Sequence, residues 1–196
     1  MAITLENSRL LTEVQKLAVL DPLTGLLNRR GFAELAEREI DRAHRFKHSL
    51  SLLFLDLDHF KKINDEHGHL VGDQILVGIA NRCKNILRSV DLTCRYGGEE
   101  FLILLVETNL EDAVEIAKRI NNVIKLYPFM TDIGPINLTI SIGVARFEKH
   151  MHNIDAIIQN ADTALYKAKS AGRDCVVPFL ENDSPNDKKN SVAPYC

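Results

Sequence analysis

The 196-residue sequence has no apolar run near the ~20 residues that a bilayer span requires, so no membrane-crossing helix is expected. Its start lacks a basic segment followed by an apolar stretch, so no secretory leader is expected either. Positive charge is not in excess: 24 Lys and Arg face 27 Asp and Glu, a formal net charge of -3. That balance argues against a nucleic-acid-binding surface. Cysteine is sparse and scattered, at Cys83, Cys94, Cys175 and Cys196, with no C-x-x-C pair. Free thiols in a reducing cytoplasm are the expectation, rather than a zinc site or a disulfide framework. No internal repeat is present. What remains is ordinary for a globular chain, with 45% apolar and 26% charged residues, enough for one core with appendages.

Taken in order, residues 1–20 read as a helix with Ile3, Leu10 and Leu17 at one heptad position and Asn7 and Val14 at the other. It is either a dimerising, signal-transmitting helix or an amphipathic helix packed on the domain. Pro22 and Gly25 punctuate a compact loop, and a helix is expected over 30–46, with Phe32, Leu35, Ala36, Ile40 and Ala43 inward. Residues 50–57 are almost continuously apolar, as in a strand covered on both faces. A short helix around 61–64, a His67-Gly68-His69 interruption and a helix over 71–87 follow. The runs on either side of Gly97-Gly98 read as a hairpin, the glycines supplying φ > 0 at the turn. Beyond it come a helix over 110–126, ended by Tyr127-Pro128, and a long alternating strand over 136–147 in which Gly143 marks a bulge. A helix over 154–170 is closed by Gly172, and 175–179 is an edge strand. The expected domains are a helix at 1–20, a folded domain at 21–179, and a disordered polar tail at 180–196. The fold class is α+β, a mostly antiparallel central sheet covered by helices in a ferredoxin-like arrangement.

Chemistry collects at two places. Asp56 and Asp58 lie two apart at the end of the central strand, so they share a face. An acidic residue there either caps the next helix or holds a metal; Asp56 is the metal candidate. Glu99 and Glu100 repel each other at the hairpin turn, and a cation resolves that repulsion. Carboxylates alone suit Mg²⁺ or Mn²⁺, the hard ions that accompany nucleotide phosphates. The helix after Asp58 offers free backbone N–H groups to phosphate, Lys61 adds a charge on its first turn, and Lys169 and Arg173 are further phosphate candidates. His67 and His69 read equally as turn residues or as part of a pocket.

Gly97-Gly98-Glu99-Glu100-Phe101 resembles the signature of the GGDEF family, the diguanylate cyclases, in its GGEEF variant. Four further stretches, at 21–29, 54–73, 140–145 and 161–173, resemble the family's other motifs in order, so the resemblance spans roughly residues 20–178. It implies a palm-like fold and condensation of two GTP into cyclic di-GMP, with the two GTP held by a homodimer. Asp56, the Leu57 carbonyl, Glu99 and Glu100 would hold Mg²⁺ or Mn²⁺, and Glu99 would be the base for the ribose 3′-hydroxyl. Asn64 and Asp73 would read guanine, with His69 shaping that pocket. His59, Phe60, Lys61, Lys169 and Arg173 would bind the triphosphate, and Arg95 with Lys61 would stabilise charge on the transferring phosphoryl group. Arg88 and Asp91, five residues before the signature, resemble the family's product-inhibition site, with Arg119 as a second grip; R-x-x-D is otherwise a common local ion pair. His59 stands where the family often has Phe, and Asp174 where it often has Asn. The resemblance also implies a cytoplasmic location and an upstream sensor or partner. The competing reading is a catalytically silent receptor for GTP or cyclic di-GMP.

Overall fold

The computed structural model describes residues 19–180. The heptad-like stretch before Val19 and the polar tail after Leu180 lie outside the described residues. A two-residue strand β1 (Leu27–Asn28) leads directly into helix α1 (Arg29–Phe46), followed by β2 (Leu50–Leu57) and the helices α2 (Phe60–His67) and α3 (His69–Ile86). Next come the hairpin β3 (Leu92–Arg95) and β4 (Glu100–Val106), helix α4 (Leu110–Leu126), and a short hairpin β5 (Phe129–Thr131) and β6 (Gly134–Ile136). The domain closes with β7 (Ile140–Arg146), α5 (Ile154–Ser170) and β8 (Val176–Pro178).

Local sequence accounts for most helix boundaries. Asn28, Asn109 and Asn153 cap α1, α4 and α5, each side chain accepting the N–H three residues on, from Gly31, Asp112 and Ala156. Asp and Glu sit in the first turns of α4 and α5 and Lys in their last turns, as the helix dipole favours. Gly31 is required on packing grounds: a Cβ there would fall 2.4 Å from the Val19 carbonyl oxygen.

Six strands form one sheet in the order β1-β3-β4-β2-β7-β8, antiparallel through its centre and parallel at both edge pairs. Every residue of β2 is buried, as its apolar run predicts. Alternation along β2 divides the core. Leu53, Leu55 and Leu57 pack with α3 and α4 on one face, while Leu50, Leu52 and Phe54 pack with α1 and α5 on the other. Asp56 continues the second set, so its carboxylate is on the α1/α5 side.

Two expectations are corrected. The strand over 136–147 is broken: β6 pairs with β5 in a separate two-stranded sheet, and β7 starts only at Ile140. Gly134 at φ 111 makes the turn, and Pro135 has no N–H for a central ladder. The small hairpin is held by Phe129, which fills the space above Gly78 and lies 3.6 Å beneath the Arg82 guanidinium. Gly143 marks no bulge. It pairs in register with Phe54 on one side and Val177 on the other. A Cβ at Gly143 would sit 2.0 Å from the Ala161 carbonyl oxygen and 2.4 Å from the Leu165 nitrogen, so the backbone of α5 rests directly on β7. Among the described residues, no helix is long and apolar enough to cross a membrane, Cys83 and Cys94 are buried free thiols, and Cys175 is buried as well.

Candidate active site

The central strand pair brings the acidic residues together. Asp56 on β2 is in register with Glu100 on β4 and with Ser141 on β7, which fixes its backbone from both sides. It is 5% exposed, and its Oδ2 pairs with Lys169 Nζ at 2.8 Å. Burial pushes the Asp56 carboxyl above the usual carboxylate range, although Lys169 pulls the other way. Glu99 and Glu100 are likewise raised, first by burial and then by the negative charge of Asp56. Asp56 thus disfavours the charge of both glutamates, and the three carboxylates are a donor set whose chemistry fits a hard divalent cation. Among the described residues, no group of three or more His, Cys, Asp or Glu is arranged to hold a metal ion.

The signature turn is tight. The amides of Tyr96 and Gly97 both donate to the Glu100 carbonyl, at 2.8 and 3.3 Å. Neither Gly97 nor Gly98 has a positive φ, so the expected conformational reason for the pair is wrong. Only Gly97 has a spatial reason, since a Cβ there would meet Glu100 Oε2 at 2.3 Å, whereas one on Gly98 would point into open space. Leu57, the last residue of β2, donates its N–H to the Glu99 carbonyl at 3.3 Å.

Asp58 neither caps α2 nor joins the acidic cluster. Its Oδ2 accepts from Thr139 Oγ1 at 2.7 Å and the Asp174 amide at 3.0 Å, and its Oδ1 from Ser141 Oγ at 2.7 Å. A buried carboxylate with every donor supplied by the chain is a structural rivet. It ties the end of β2 to the start of β7 and to the loop after α5. Asp174 accepts from Asn121 and pairs with Lys125 at 2.5 Å, which offsets the extra charge where the family often has Asn. The residue ahead of α2 is His59, held in the left-handed region at φ 58 without any side-chain cap. Strain of that kind in a non-glycine residue costs of order 1–3 kcal/mol and concentrates at functional sites. Lys61 is exposed on the first turn of α2, and Phe60 is buried in the core.

The guanine candidates meet at the α2–α3 junction. Asn64 Oδ1 is buried and has no hydrogen-bond partner. It lies against Gly72, where a Cβ would come within 2.0 Å of it, so the glycine makes room for the amide. Asp73 is the next residue and is half-buried; His69 is exposed at the first position of α3. Arg173, in the loop after α5, adopts φ 68 with its N–H on the Ala168 carbonyl, and its charge reaches Asp56.

Three arginines have occupations the sequence did not disclose. Arg95 donates from Nε and Nη2 to the Gly98 carbonyl, at 3.2 and 2.9 Å, and from Nη1 to Asp21 at 3.3 Å. It braces the signature turn against the 21–26 loop. Arg88 grips Asp91 and also donates to the Val106 carbonyl at 2.7 Å and to Thr108 at 2.8 Å. Asp91 also accepts from the Arg88 and Val106 amides. The pair thus staples the start of β3 to the end of β4 in this structure. It sits at the Val106 end of β4, about 20 Å along the strand from Glu100. Both residues border a groove of about 470 Å³ beside Gly25 and Leu27. Arg119 donates to the Ile86 carbonyl at 3.0 Å, closing the end of α3.

Residues 18–175 match the family described as diguanylate cyclase, GGDEF domain. The chain belongs to the GGDEF family. It is 44% identical over 168 residues to the diguanylate cyclase DgcP of Pseudomonas aeruginosa, covering 86% of this chain and 25% of that protein. It is 42% identical over 164 residues to the response regulator PleD of Caulobacter vibrioides, covering 83% of this chain and 36% of PleD. The structure resembles the GGDEF domain of DgcB from Caulobacter crescentus in complex with c-di-GMP, with a TM-score of 0.79 at 28% identity over 83% of this chain and 96% of that one. The chain thus spans well under half the length of these two curated relatives, and the GGDEF fold accounts for nearly all of its described residues.

Proposed function

We propose that this GGDEF domain condenses two GTP into cyclic di-GMP with release of two pyrophosphate. The observation that carries this reading is the buried, donorless Asn64 Oδ1 beside Asp73. A buried acceptor without a donor is uncommon and calls for an explanation. Guanine presents adjacent N–H donors on its Watson–Crick edge, where adenine presents no such pair, so these two acceptors favour GTP over ATP. His69 would help shape that pocket. The triphosphate would lie against the His59–Lys61 turn and be drawn by Lys61, Lys169 and Arg173.

Asp56, the Leu57 carbonyl, Glu99 and Glu100 would hold Mg²⁺ or Mn²⁺, an ion that polarises the phosphoryl group and favours deprotonation of the attacking hydroxyl. The chain's own residues do the rest. Glu99, with its affinity for a proton raised, accepts the 3′-hydroxyl proton. Arg95 acts indirectly, by holding the Gly98 carbonyl and so the turn that aims Glu99. One domain holds one GTP, so each 3′-hydroxyl attacks the α-phosphate held by a second copy, and the working unit is a homodimer in the GTP-containing cytoplasm. Feedback by cyclic di-GMP would act at Arg88, Asp91 and Arg119, beside the end of β4 that Arg88 ties down. An upstream sensor is consistent with the length of the relatives. Turnover with GTP, ATP and their mixture, read by product chromatography for the wild type and Glu99→Gln, tests the reading. GTP-only turnover abolished in the variant supports it. GTP binding without turnover in the wild type replaces it with the receptor reading. Sensitivity to cyclic di-GMP unchanged in Arg88→Ala removes the feedback site.

A further inference from the structure

Lys169 is drawn in two directions that one amine cannot satisfy at once. Its Nζ lies 2.8 Å from Asp56 Oδ2, yet the proposed function needs the same amine on the triphosphate. Asp56 cannot follow it, because neighbouring strands hold its backbone on both sides. Lys169 can move: it stands on the last turn of α5 with 34% of its side chain exposed, on a flexible stem. We infer that Lys169 is a resident counter-cation that keeps Asp56 closed to a divalent ion until nucleotide phosphate draws the amine away.

The inference rests on the metal and phosphate assignments above and adds an order of events to them. A buried carboxylate stripped of its paired cation is costly, so the unliganded domain keeps one. No other described side chain forms a hydrogen bond or ion pair with Asp56. Arg173, the nearby cation, has its backbone anchored to the Ala168 carbonyl and acts on Asp56 from further off. An ion entering alone must displace the amine; an ion arriving with phosphates finds it already attracted elsewhere. By linkage, phosphate and metal then strengthen each other's binding by the same factor. If the amine leaves Asp56 about one-tenth of the time, the apparent affinity for a lone metal ion drops about tenfold.

The test uses the nucleotide-free protein and Mn²⁺ alone, following free Mn²⁺ by its paramagnetic resonance signal. Lys169→Met should half-saturate at a Mn²⁺ concentration at least about tenfold below the wild type. Lys169→Arg, which keeps a cation there, should stay near the wild type. Lys169→Gln supplies the same comparison if the methionine variant melts below the assay temperature. Equal half-saturation in wild type and Lys169→Met overturns the lock and leaves the metal site standing; so does an arginine variant that tightens as much as methionine. Absence of Mn²⁺ binding in all variants overturns the metal site and the lock together.

Discussion

Replacing Gly143 with alanine isolates how closely α5 is seated on the sheet. The added methyl carbon would lie 2.0 Å from the Ala161 carbonyl oxygen and 2.4 Å from the Leu165 nitrogen, against the 3.4 Å at which contact becomes ordinary. Both obstacles are backbone, so no side chain can swing aside, and β7 is pinned by β2 and β8. The helix must lift by over an ångström, opening space beneath Ala161, Ala164, Leu165 and Ala168, all buried. Overpacking typically costs 1–3 kcal/mol, and backbone on every side puts this site near about 3 kcal/mol. For a chain of this size that lowers Tm by about 6–12 °C. Thermal unfolding followed by circular dichroism measures it, with the purified domain at fixed concentration. A drop below about 2 °C would refute the seating. GTP turnover at a temperature where the variant is fully folded should also fall, because α5 carries Lys169.

Gly98→Ala gives the opposite pattern: its Cβ meets nothing within 4 Å, so stability should stay within about 0.5 kcal/mol while turnover collapses, and comparing urea midpoints with turnover checks both. Asp58→Asn should lower stability by about 2–4 kcal/mol, because an amide presents a donor to one of three existing donors; urea unfolding tests this, and loss under about 0.5 kcal/mol would remove the rivet. Asp21 supplies a pH signature. Burial raises its carboxyl, but the Thr24 hydroxyl and amide and Arg95 outweigh burial and leave it below the usual range. A carboxyl with a lowered folded pKa stabilises above its unfolded value of about 3.9, and that contribution disappears as pH falls through the folded value. The stability gap between wild type and Asp21→Asn should therefore be constant at neutral pH and shrink below about pH 4; an unchanged gap in acid would count against the contact.

Periodicity reveals the layers because each core face imposes it. The inward set on α1 matches burial almost residue for residue, and only Leu35 sits partly exposed. What stayed hidden has no local signal. Gly143 sits in an otherwise regular alternation, and nothing within the strand says whether a bulge or an overlying helix excludes a side chain. The split of 136–147 was hidden because Ile136 and Leu138 continue the alternation across Pro135 and Asn137, although Pro135 was available as a warning. In the site, Asp56 was legible as a charge at the end of an apolar strand. Asp58 looked equivalent by spacing, and only the partners brought from residues 139, 141 and 174 separate the two. Thr139 and Ser141, hydroxyls two apart at the start of β7, were the sign that could have been read. The arginines were least legible, since a guanidinium reaches across elements and sequence spacing says nothing about what it reaches. Arg95 and Arg88 lie beside the right motifs, yet both spend donors on backbone carbonyls.

The six-stranded sheet ends in β1, two residues long, and β8, three residues long and carrying Pro178. Borders this short offer almost no ladder to an incoming strand. Copies of the domain are thereby steered away from open-ended stacking through their sheets, a polymer that would be soluble only briefly. Encounters are left to helices and loops, which can form and dissolve repeatedly. The proposed condensation needs two copies to meet and separate at every turnover, and margins that refuse to zip would serve it.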